Sequence, residues 1–217
     1  MGRPKEHDEA TRTALLEAAE RLVDDHGPDA VAVRTVADAV GTTTRAVYSL
    51  FGSKQGLLEA LATRLFEELG QAIDRVPLTE DPITDVVEVG VHAFRETALA
   101  HPSLYRLVFL RVVPDLRLGH QFGAVASAAF GRLEARVARL GSSDPPETVH
   151  ERALAVHALT EGLASMELRG NMLDPVRAEA VWRESLTALV GGFYAERGRA
   201  ADAATPAGAG VDPSRSR

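Results

Sequence analysis

A group of polar and cationic side chains between positions 34 and 54 has the chemistry needed to bind DNA. Its members are Arg34, Thr43, Thr44, Arg45, Tyr48, Ser49 and Lys54. An arginine can donate two hydrogen bonds to guanine and a threonine methyl can contact thymine, while hydroxyl and ammonium groups bind phosphates. Asp38 is the single acid between positions 32 and 54, so the local charge is positive. These residue types predict a surface that reads double-stranded DNA.

The apolar residues of the same stretch have the spacing of a helix-turn-helix motif. Ala37 is small where two helices would cross, Gly41 stands at the turn, and Val47 would fill the angle between the helices. Glycine reaches the left-handed conformation without a steric penalty. The spacing predicts helices over 34–40 and 43–50, of which the second would enter the major groove. An ordinary helical hairpin shares the apolar pattern, but it does not explain an outward face without acids.

Composition and charge narrow the class of protein. The 217 residues carry a formal charge of −7 and are 45% hydrophobic. A protein with a net negative charge is poorly suited to nonspecific nucleic-acid binding. A positive charge confined to one surface is instead typical of a protein that binds DNA at specific sites. There is no cysteine, no apolar run near the ~20 residues of a membrane helix, and no signal-peptide core at the N-terminus. We therefore expect a soluble, cytoplasmic protein.

The N-terminal part, to about position 70, resembles the DNA-binding domain of the TetR family of bacterial transcriptional regulators. The resemblance rests on Ala37, Gly41, Val47, Tyr48, Phe51, Ser53 and Lys54, followed by Leu57 and Leu58. A shorter stretch, 101–106, resembles the regulatory domain of a TetR subgroup with a WHG-type C-terminal domain. Ala32 departs from the pattern, because many members have a threonine there that caps the helix and touches phosphate.

The resemblance implies a homodimer that represses transcription by occupying a palindromic operator. It also implies that a small-molecule effector relieves this repression. A TetR-like regulator controlled by a protein partner, and an unrelated helical enzyme, are the alternatives. The sequence does not decide whether the protein represses or activates transcription. It also leaves open the operator, the regulated genes and the effector.

Helical periodicity and turn signals divide the chain into two domains. We predict an all-α fold with a three-helix DNA-binding domain over 1–55 and a linking helix over 53–75. A regulatory and dimerisation domain is predicted over 56–197, followed by a disordered tail over 198–217. The remaining helices are predicted at 11–26, 83–100, from 102 to a break at Pro114, 118–140, 147–169 and 175–197.

Bulky and amphipathic residues of the second domain are candidates for the wall of an effector cavity. They are His92, Phe94, Tyr105, Phe109, Phe122, Met166 and Trp182. No cluster of arginine or lysine accompanies them, which predicts an effector that is largely apolar and neutral or weakly charged.

Nothing in the sequence predicts an enzyme, a cofactor or a metal. No His-Glu-x-x-His or Gly-x-Ser-x-Gly pattern and no glycine-rich phosphate loop is present. His150 and His157 are two helical turns apart, but an interface or a pocket wall explains this spacing at least as well as a metal site.

Overall fold

The described part of the chain is built from helices. The computed structural model describes residues 5–27, 31–109, 118–141, 143–172 and 174–204, and these ranges contain no strand. The all-α prediction is confirmed. The helices are α1 (Lys5–His26), α2 (Val33–Val40), α3 (Thr44–Phe51), α4 (Lys54–Arg75), α5 (Pro82–Glu88), α6 (Glu96–Ala100), α7 (Pro102–Phe109), α8 (His120–Ala138), α9 (Pro146–Leu168) and α10 (Pro175–Ala204), and a π-helical segment (Val89–Arg95) joins α5 to α6.

The N-terminal helices share one hydrophobic core, which we call the head core. Leu15 of α1, Val36 of α2 and Val47 of α3 are fully buried in it, together with residues of the first half of α4. Leu104 and Leu107 of α7 complete the head core. The head is therefore packed directly on a helix of the regulatory half.

Two tight turns fix the helix-turn-helix geometry. Gly41 ends α2 with φ 69°, and Gly52 ends α3 with φ 73°, both in the left-handed region that favours glycine. At the start of α4 the backbone of Gly56 approaches α3 so closely that a Cβ there would lie 1.9 Å from the carbonyl oxygen of Phe51. The turn between α3 and α4 therefore has no room for a side chain at position 56.

The second hydrophobic core lies around the C-terminal half of α4, the π-helical segment and α8 to α10. Trp182, Leu186 and Val190 of α10 are fully buried there. α8 runs along α4 and contacts it at both ends. Near the start, Glu59 accepts a hydrogen bond from the backbone N–H of Gly119 at 3.0 Å. Near the end, the buried guanidinium of Arg136 donates to three backbone carbonyls in the last turn of α4 and just after it, those of Ile73, Val76 and Pro77, at 2.8, 2.5 and 3.2 Å.

Some helix ends differ from those that the sequence predicts. α1 begins at Lys5 rather than near residue 11. The helical start at Lys5 could not be predicted, because the mostly charged residues before position 11 show no apolar periodicity. α10 continues to Ala204 rather than ending at Arg197, because the alanine-rich stretch 200–204 favours helix. The predicted break at Pro114 and the rest of the predicted tail, 205–217, lie outside the described residues. No described helix is long and apolar enough to span a membrane.

Candidate functional site

The first site is the outward face of α3. Val47 points into the head core, whereas all of the residues predicted to contact DNA are exposed: Arg34, Thr43, Thr44, Arg45, Tyr48, Ser49 and Lys54. Thr43 caps α3, its hydroxyl accepting a hydrogen bond from the N–H of Ala46 at 3.3 Å. The cap stabilises the end of α3 that carries Thr44 and Arg45.

Four of the polar side chains of α3 itself have no partner among the described residues. Thr44, Arg45, Tyr48 and Ser49 make no hydrogen bond or ion pair there, and Tyr48 is 54% exposed although it is aromatic. Arg34, on α2, is the exception, with Nε 3.8 Å from a carboxylate oxygen of Asp38. Both side chains of that pair are largely exposed, so the contact is weak. Polar groups left unpaired on one helix face are available to an external partner.

The start of α4 lies beside α3 and has the features of an anion site. Ser53 caps α4, its hydroxyl accepting from the N–H of Gly56 at 3.0 Å. Lys54 is the first residue of α4 and is exposed. Its ammonium and the positive end of the helix can hold the same phosphate.

The second site is an open cavity of about 670 Å³ between α4, α7, α8 and α9. This volume lies in the range of pockets that bind small molecules. Its wall is aromatic, and the phenylalanines are Phe66, Phe94, Phe109, Phe122 and Phe130. The Phe66 ring stacks on Phe109 at 5.5 Å between centroids and meets Phe122 edge-on at 5.2 Å. α4 and α8, which hold each other at both ends, thus face each other across this cavity.

A few polar groups interrupt the aromatic wall. Glu134 of α8 and His150 of α9 pair at 2.7 Å. His157, further along α9, lies 6.0 to 6.1 Å from three phenylalanine rings. Burial lowers the pKa of His157, so this imidazole is neutral at pH 7. Its Nδ1 atom is buried and has no hydrogen-bond partner among the described residues.

Next to the cavity lies an inner chamber of about 10 Å³, and the two share Phe66, Leu69, Phe94, Phe109 and His157. The inner chamber adds Thr97, Tyr105 and Glu161 to the polar groups. The hydroxyl of Tyr105 donates to the backbone carbonyl of Glu161 at 3.3 Å, and burial raises the pKa of this phenol above its usual range.

The predicted cavity residues are divided among several places. Phe94, Phe109 and Phe122 line the cavity and Tyr105 lines the inner chamber. The other predicted residues line neither: His92, Met166 and Trp182. His92 pairs with Glu88 at 3.0 Å and Glu96 at 2.7 Å, Met166 is 49% exposed, and Trp182 is buried with its indole N–H donated to Glu167 at 2.8 Å.

Sequence reasoning missed part of the wall. Phe66 lies in α4, to which the sequence assigned only a linking role. Glu134 was not predicted either, because it falls on the face of α8 that meets α9, and this meeting cannot be deduced from either helix alone. Phe130, His150 and His157 lie on the same faces, and a pocket wall was one interpretation of the spacing of the two histidines. No group of three or more histidine, aspartate or glutamate side chains in the described part of the chain is placed to hold a metal ion.

Comparisons with known proteins identify the family of both halves of the chain. Residues 15–61 match the family described as "Bacterial regulatory proteins, tetR family", and residues 87–189 match "Tetracyclin repressor-like, C-terminal domain". HTH-type transcriptional regulators of Mycobacterium tuberculosis and Mycobacterium bovis are each 26% identical over 116 residues, which are 52% of this chain and 50% of the relative. The match thus spans about half the length of these curated relatives.

Solved structures share the fold. The TetR family regulator PfmR of Thermus thermophilus is 21% identical, with a TM-score of 0.59 over 81% of this chain and 96% of PfmR. A tetR-family regulator of Streptomyces coelicolor is 22% identical, with a TM-score of 0.67 over 94% and 85%. A TetR variant of Acinetobacter baumannii AYE, solved in complex with minocycline, is 22% identical, with a TM-score of 0.59 over 84% and 96%.

Proposed function

Since this chain belongs to the TetR family and is a DNA-binding transcriptional regulator rather than an enzyme, we propose that it is a repressor released from its operator by a small effector. The observation that carries the proposal is the aromatic cavity between α4 and α8. An effector bound there contacts the helix whose first residue, Lys54, lies beside the DNA-reading face. The assignment of a WHG-type subgroup remains a prediction.

The DNA contacts of the proposal follow from the exposed face of α3. Thr44 and Arg45, in its first turn, contact base edges in the major groove. The groups that contact phosphates are Thr43, Tyr48, Ser49, Lys54 and, from α2, Arg34. We assign these residues to a head of about 1–55, with α4 as the connection to a regulatory domain of about 56–197.

α4 and α7 couple the cavity to the head in this proposal. Phe66 and Leu69 of α4 line the cavity, and Leu57 and Leu61 of the same helix are fully buried in the head core. α7 has a similar division, because Phe109 lines the cavity whereas Leu104 and Leu107 belong to the head core. An effector that separates α4 from α8 must therefore shift residues of the head.

The effector is proposed to be largely apolar. The described wall of the cavity contains five phenylalanines and no arginine or lysine. The related TetR variant bound to minocycline supports a small molecule as effector over a protein partner. The effector releases DNA only if it binds better to a state in which the heads no longer match the operator, because equal affinity for both states shifts nothing.

A homodimer on a palindromic operator completes the proposal. α9 and α10 expose large apolar side chains, Met166 at 49%, Val181 at 39% and Tyr194 at 51%. Pairing of these helices with their symmetry mates buries this surface and places two heads on successive major-groove faces. Sedimentation that gives a monomer at micromolar concentration contradicts this part.

The decisive experiment measures operator binding and effector binding in one protein. An operator fragment is first selected from random DNA with the purified protein, and apolar compounds are then screened for thermal stabilisation. Compounds that stabilise the protein should weaken operator binding by the factor by which the operator weakens their own binding.

A cavity-filling variant tests where these compounds bind. Ala126→Phe fills the cavity and should preserve operator affinity while abolishing the response, whereas Ala124→Phe, on the exposed side of α8, should keep both. If no apolar compound stabilises the protein, control by a protein partner becomes the better hypothesis.

A further inference from the structure

The lining of the aromatic cavity follows α8 along most of its length. Every fourth residue, from just before this helix to near its end, lines the cavity: Leu118, Phe122, Ala126, Phe130 and Glu134. Since an α-helix rises about 1.5 Å per residue, the stretch from Phe122 to Glu134 covers about 18 Å, whereas a sphere of about 670 Å³ is only about 11 Å across. The cavity is therefore a long channel beside α8 rather than a round chamber.

The two ends of this channel differ in chemistry. At the end near the start of α8, which we call the aromatic end, the Phe66 ring lies 5.5 Å from that of Phe109 and 5.2 Å from that of Phe122. At the other end, which we call the polar end, the carboxylate of Glu134 lies 2.7 Å from Nδ1 of His150. A molecule that fills the channel should therefore be apolar along most of its length and polar at one end.

We propose that the effectors of this protein are elongated, uncharged amphiphiles of the long-chain alcohol type. The chain lies along α8 with its tip at the aromatic end and its hydroxyl group at the polar end. This inference rests on the proposed effector-responsive function and names the shape and chemical class of the effector.

The polar end favours an uncharged end group. Glu134 and His150 make no further hydrogen bond among the described residues, so one carboxylate oxygen and one ring nitrogen remain for a ligand. The oxygen only accepts, whereas the nitrogen accepts when the imidazole is neutral and donates when it is protonated. A hydroxyl group both donates and accepts, so it suits either state.

A charged end group fits the polar end less well. An anion would meet the like charge of Glu134, and the described lining holds no arginine or lysine to compensate. An ammonium group only donates, and the carboxylate that would receive it already has His150 as its partner.

The aromatic end is where an effector can act on the head. Phe66 belongs to α4 and Phe109 to α7, and both helices contribute residues to the head core. The polar end is formed by α8 and α9, which contribute no described residue to that core. A molecule held at the polar end must therefore reach the aromatic end before it shifts the head. An extended chain advances about 1.2 Å per bond, so dodecanol spans about 14 Å and hexanol about 7 Å.

The length requirement is tested with hexanol, decanol and dodecanol on the full chain. Calorimetry gives their affinities, and fluorescence anisotropy gives their effect on operator binding. Each added CH₂ group should tighten binding about fourfold, as burial of apolar surface implies. Dodecanol should weaken operator binding, whereas saturating hexanol should not. Adamantaneethanol has the twelve carbons and the hydroxyl group of dodecanol in a compact body, so it should bind more weakly and leave operator affinity unchanged.

Ala126→Phe tests where the chain lies, because it blocks the channel between its two ends. The affinity for hexanol, which reports an intact polar end, should stay the same. The affinity for dodecanol should fall to about that of hexanol, because only the space next to the polar end remains. Ala124→Phe, on the exposed side of α8, is the matched control and should keep the full dependence on chain length.

The preference for an uncharged end group is tested at pH 7 with dodecanoate and dodecylamine, which should both bind more weakly than dodecanol. Glu134→Gln should tighten binding of dodecanoate by about tenfold, because it removes a like charge, and should leave dodecanol unchanged. Glu151→Gln removes an exposed carboxylate of α9 that does not line the cavity, and it should change neither affinity.

Three results overturn the inference: binding that does not tighten beyond hexanol, equal release of the operator by dodecanol and adamantaneethanol, or tightest binding of a charged probe. The effector-responsive function survives these results if another apolar compound releases the operator. If neither the alcohols nor a broad apolar library stabilises the protein, that function itself fails.

Discussion

Nδ1 of His101, in the turn between α6 and α7, lies 2.5 Å from a carboxylate oxygen of Glu20 in α1. The other ring nitrogen lies 2.8 Å from Glu68 of α4, and Arg64 bridges the same two carboxylates at 3.7 and 2.9 Å. This cluster, which we call the head–body ion cluster, ties the first helix of the head to two elements of the regulatory half. It therefore resists rotation of the head about α4.

The head–body ion cluster should make stability depend on pH. Hydrogen bonds to Glu20 and Glu68 raise the pKa of His101 from 6.5 to about 10, so the folded protein keeps a proton that the unfolded chain releases. The contribution of His101 to the free energy of unfolding is therefore complete below pH 6.5 and is lost as the pH rises through about 10. The hydrogen bond from His101 lowers the pKa of Glu68 from 4.5 to about 2. The contribution of Glu68 to the free energy of unfolding is therefore complete above pH 4.5 and is lost as the pH falls through about 2.

Urea unfolding of the wild type and of His101→Gln between pH 5 and 10 tests this expectation. The variant should lose most stability between pH 5 and 6.5, and the difference should shrink towards pH 10. His26→Gln, at the exposed end of α1, is the control and should run parallel to the wild type. A difference between wild type and His101→Gln that stays constant across the range contradicts the assignment.

Substitutions on the DNA-reading face should weaken DNA binding in two different ways. Arg45→Ala should lower specific binding by about 1 to 3 kcal/mol and relax the preference at one operator position, because we propose that Arg45 contacts a base. Lys54→Ala should weaken binding to all sequences and reduce the salt slope by about one, because we propose that Lys54 contacts a phosphate. Arg75→Ala, at the exposed far end of α4, should change neither quantity. Fluorescence anisotropy over a salt series, on operator and unrelated DNA, distinguishes these outcomes; wild-type behaviour of both head variants would refute the role of α3.

The sequence predicts the head well because its signals are local. Gly41, Val47 and the cap at Ser53 each act within one or two helical turns, and the helix bounds follow from them. The cavity depends instead on which faces of distant helices meet. Trp182 and Met166 had the size and chemistry of pocket residues, but helix packing buries the first and exposes the second. The π-helical segment at Val89–Arg95 was likewise not predicted, because the sequence pattern indicates one continuous helix over 83–100.

Gly56 should be indispensable for the angle between α3 and α4. A methyl group at this position would lie 1.9 Å from the carbonyl oxygen of Phe51, which belongs to the backbone and cannot rotate away. Gly56→Ala should therefore destabilise the head and reduce operator affinity, although alanine is the better helix former by about 1 kcal/mol. Gly123→Ala, within α8, meets no atom within 4 Å and should be neutral or slightly stabilising. Equal melting temperatures for the two variants would show that the close approach is absent in solution.

The contacts of α8 at the two ends of α4 should transmit the effector signal. Arg136→Met removes the guanidinium donors from the carbonyls of Ile73, Val76 and Pro77. The carbonyl of Ile73 keeps the N–H of Val76 at 3.3 Å, whereas those of Val76 and Pro77 lose this buried partner. We expect a loss of about 1 to 3 kcal/mol in the free energy of unfolding. The variant should also show a smaller effect of effector on operator binding, because α4 is no longer held where α8 ends.

Arg132→Met is the matched control for this contact. Arg132 lies one turn earlier on α8 and pairs with Asp74 at 2.8 Å, but both side chains are 40% exposed or more. Such a pair contributes about 1 kcal/mol or less, so stability and effector response should stay near those of the wild type. The ratio of operator affinities with and without a saturating stabilising compound measures the coupling directly. If Arg136→Met keeps the full ratio despite its lower stability, the C-terminal contact of α4 is structural only, and the signal must pass through α7.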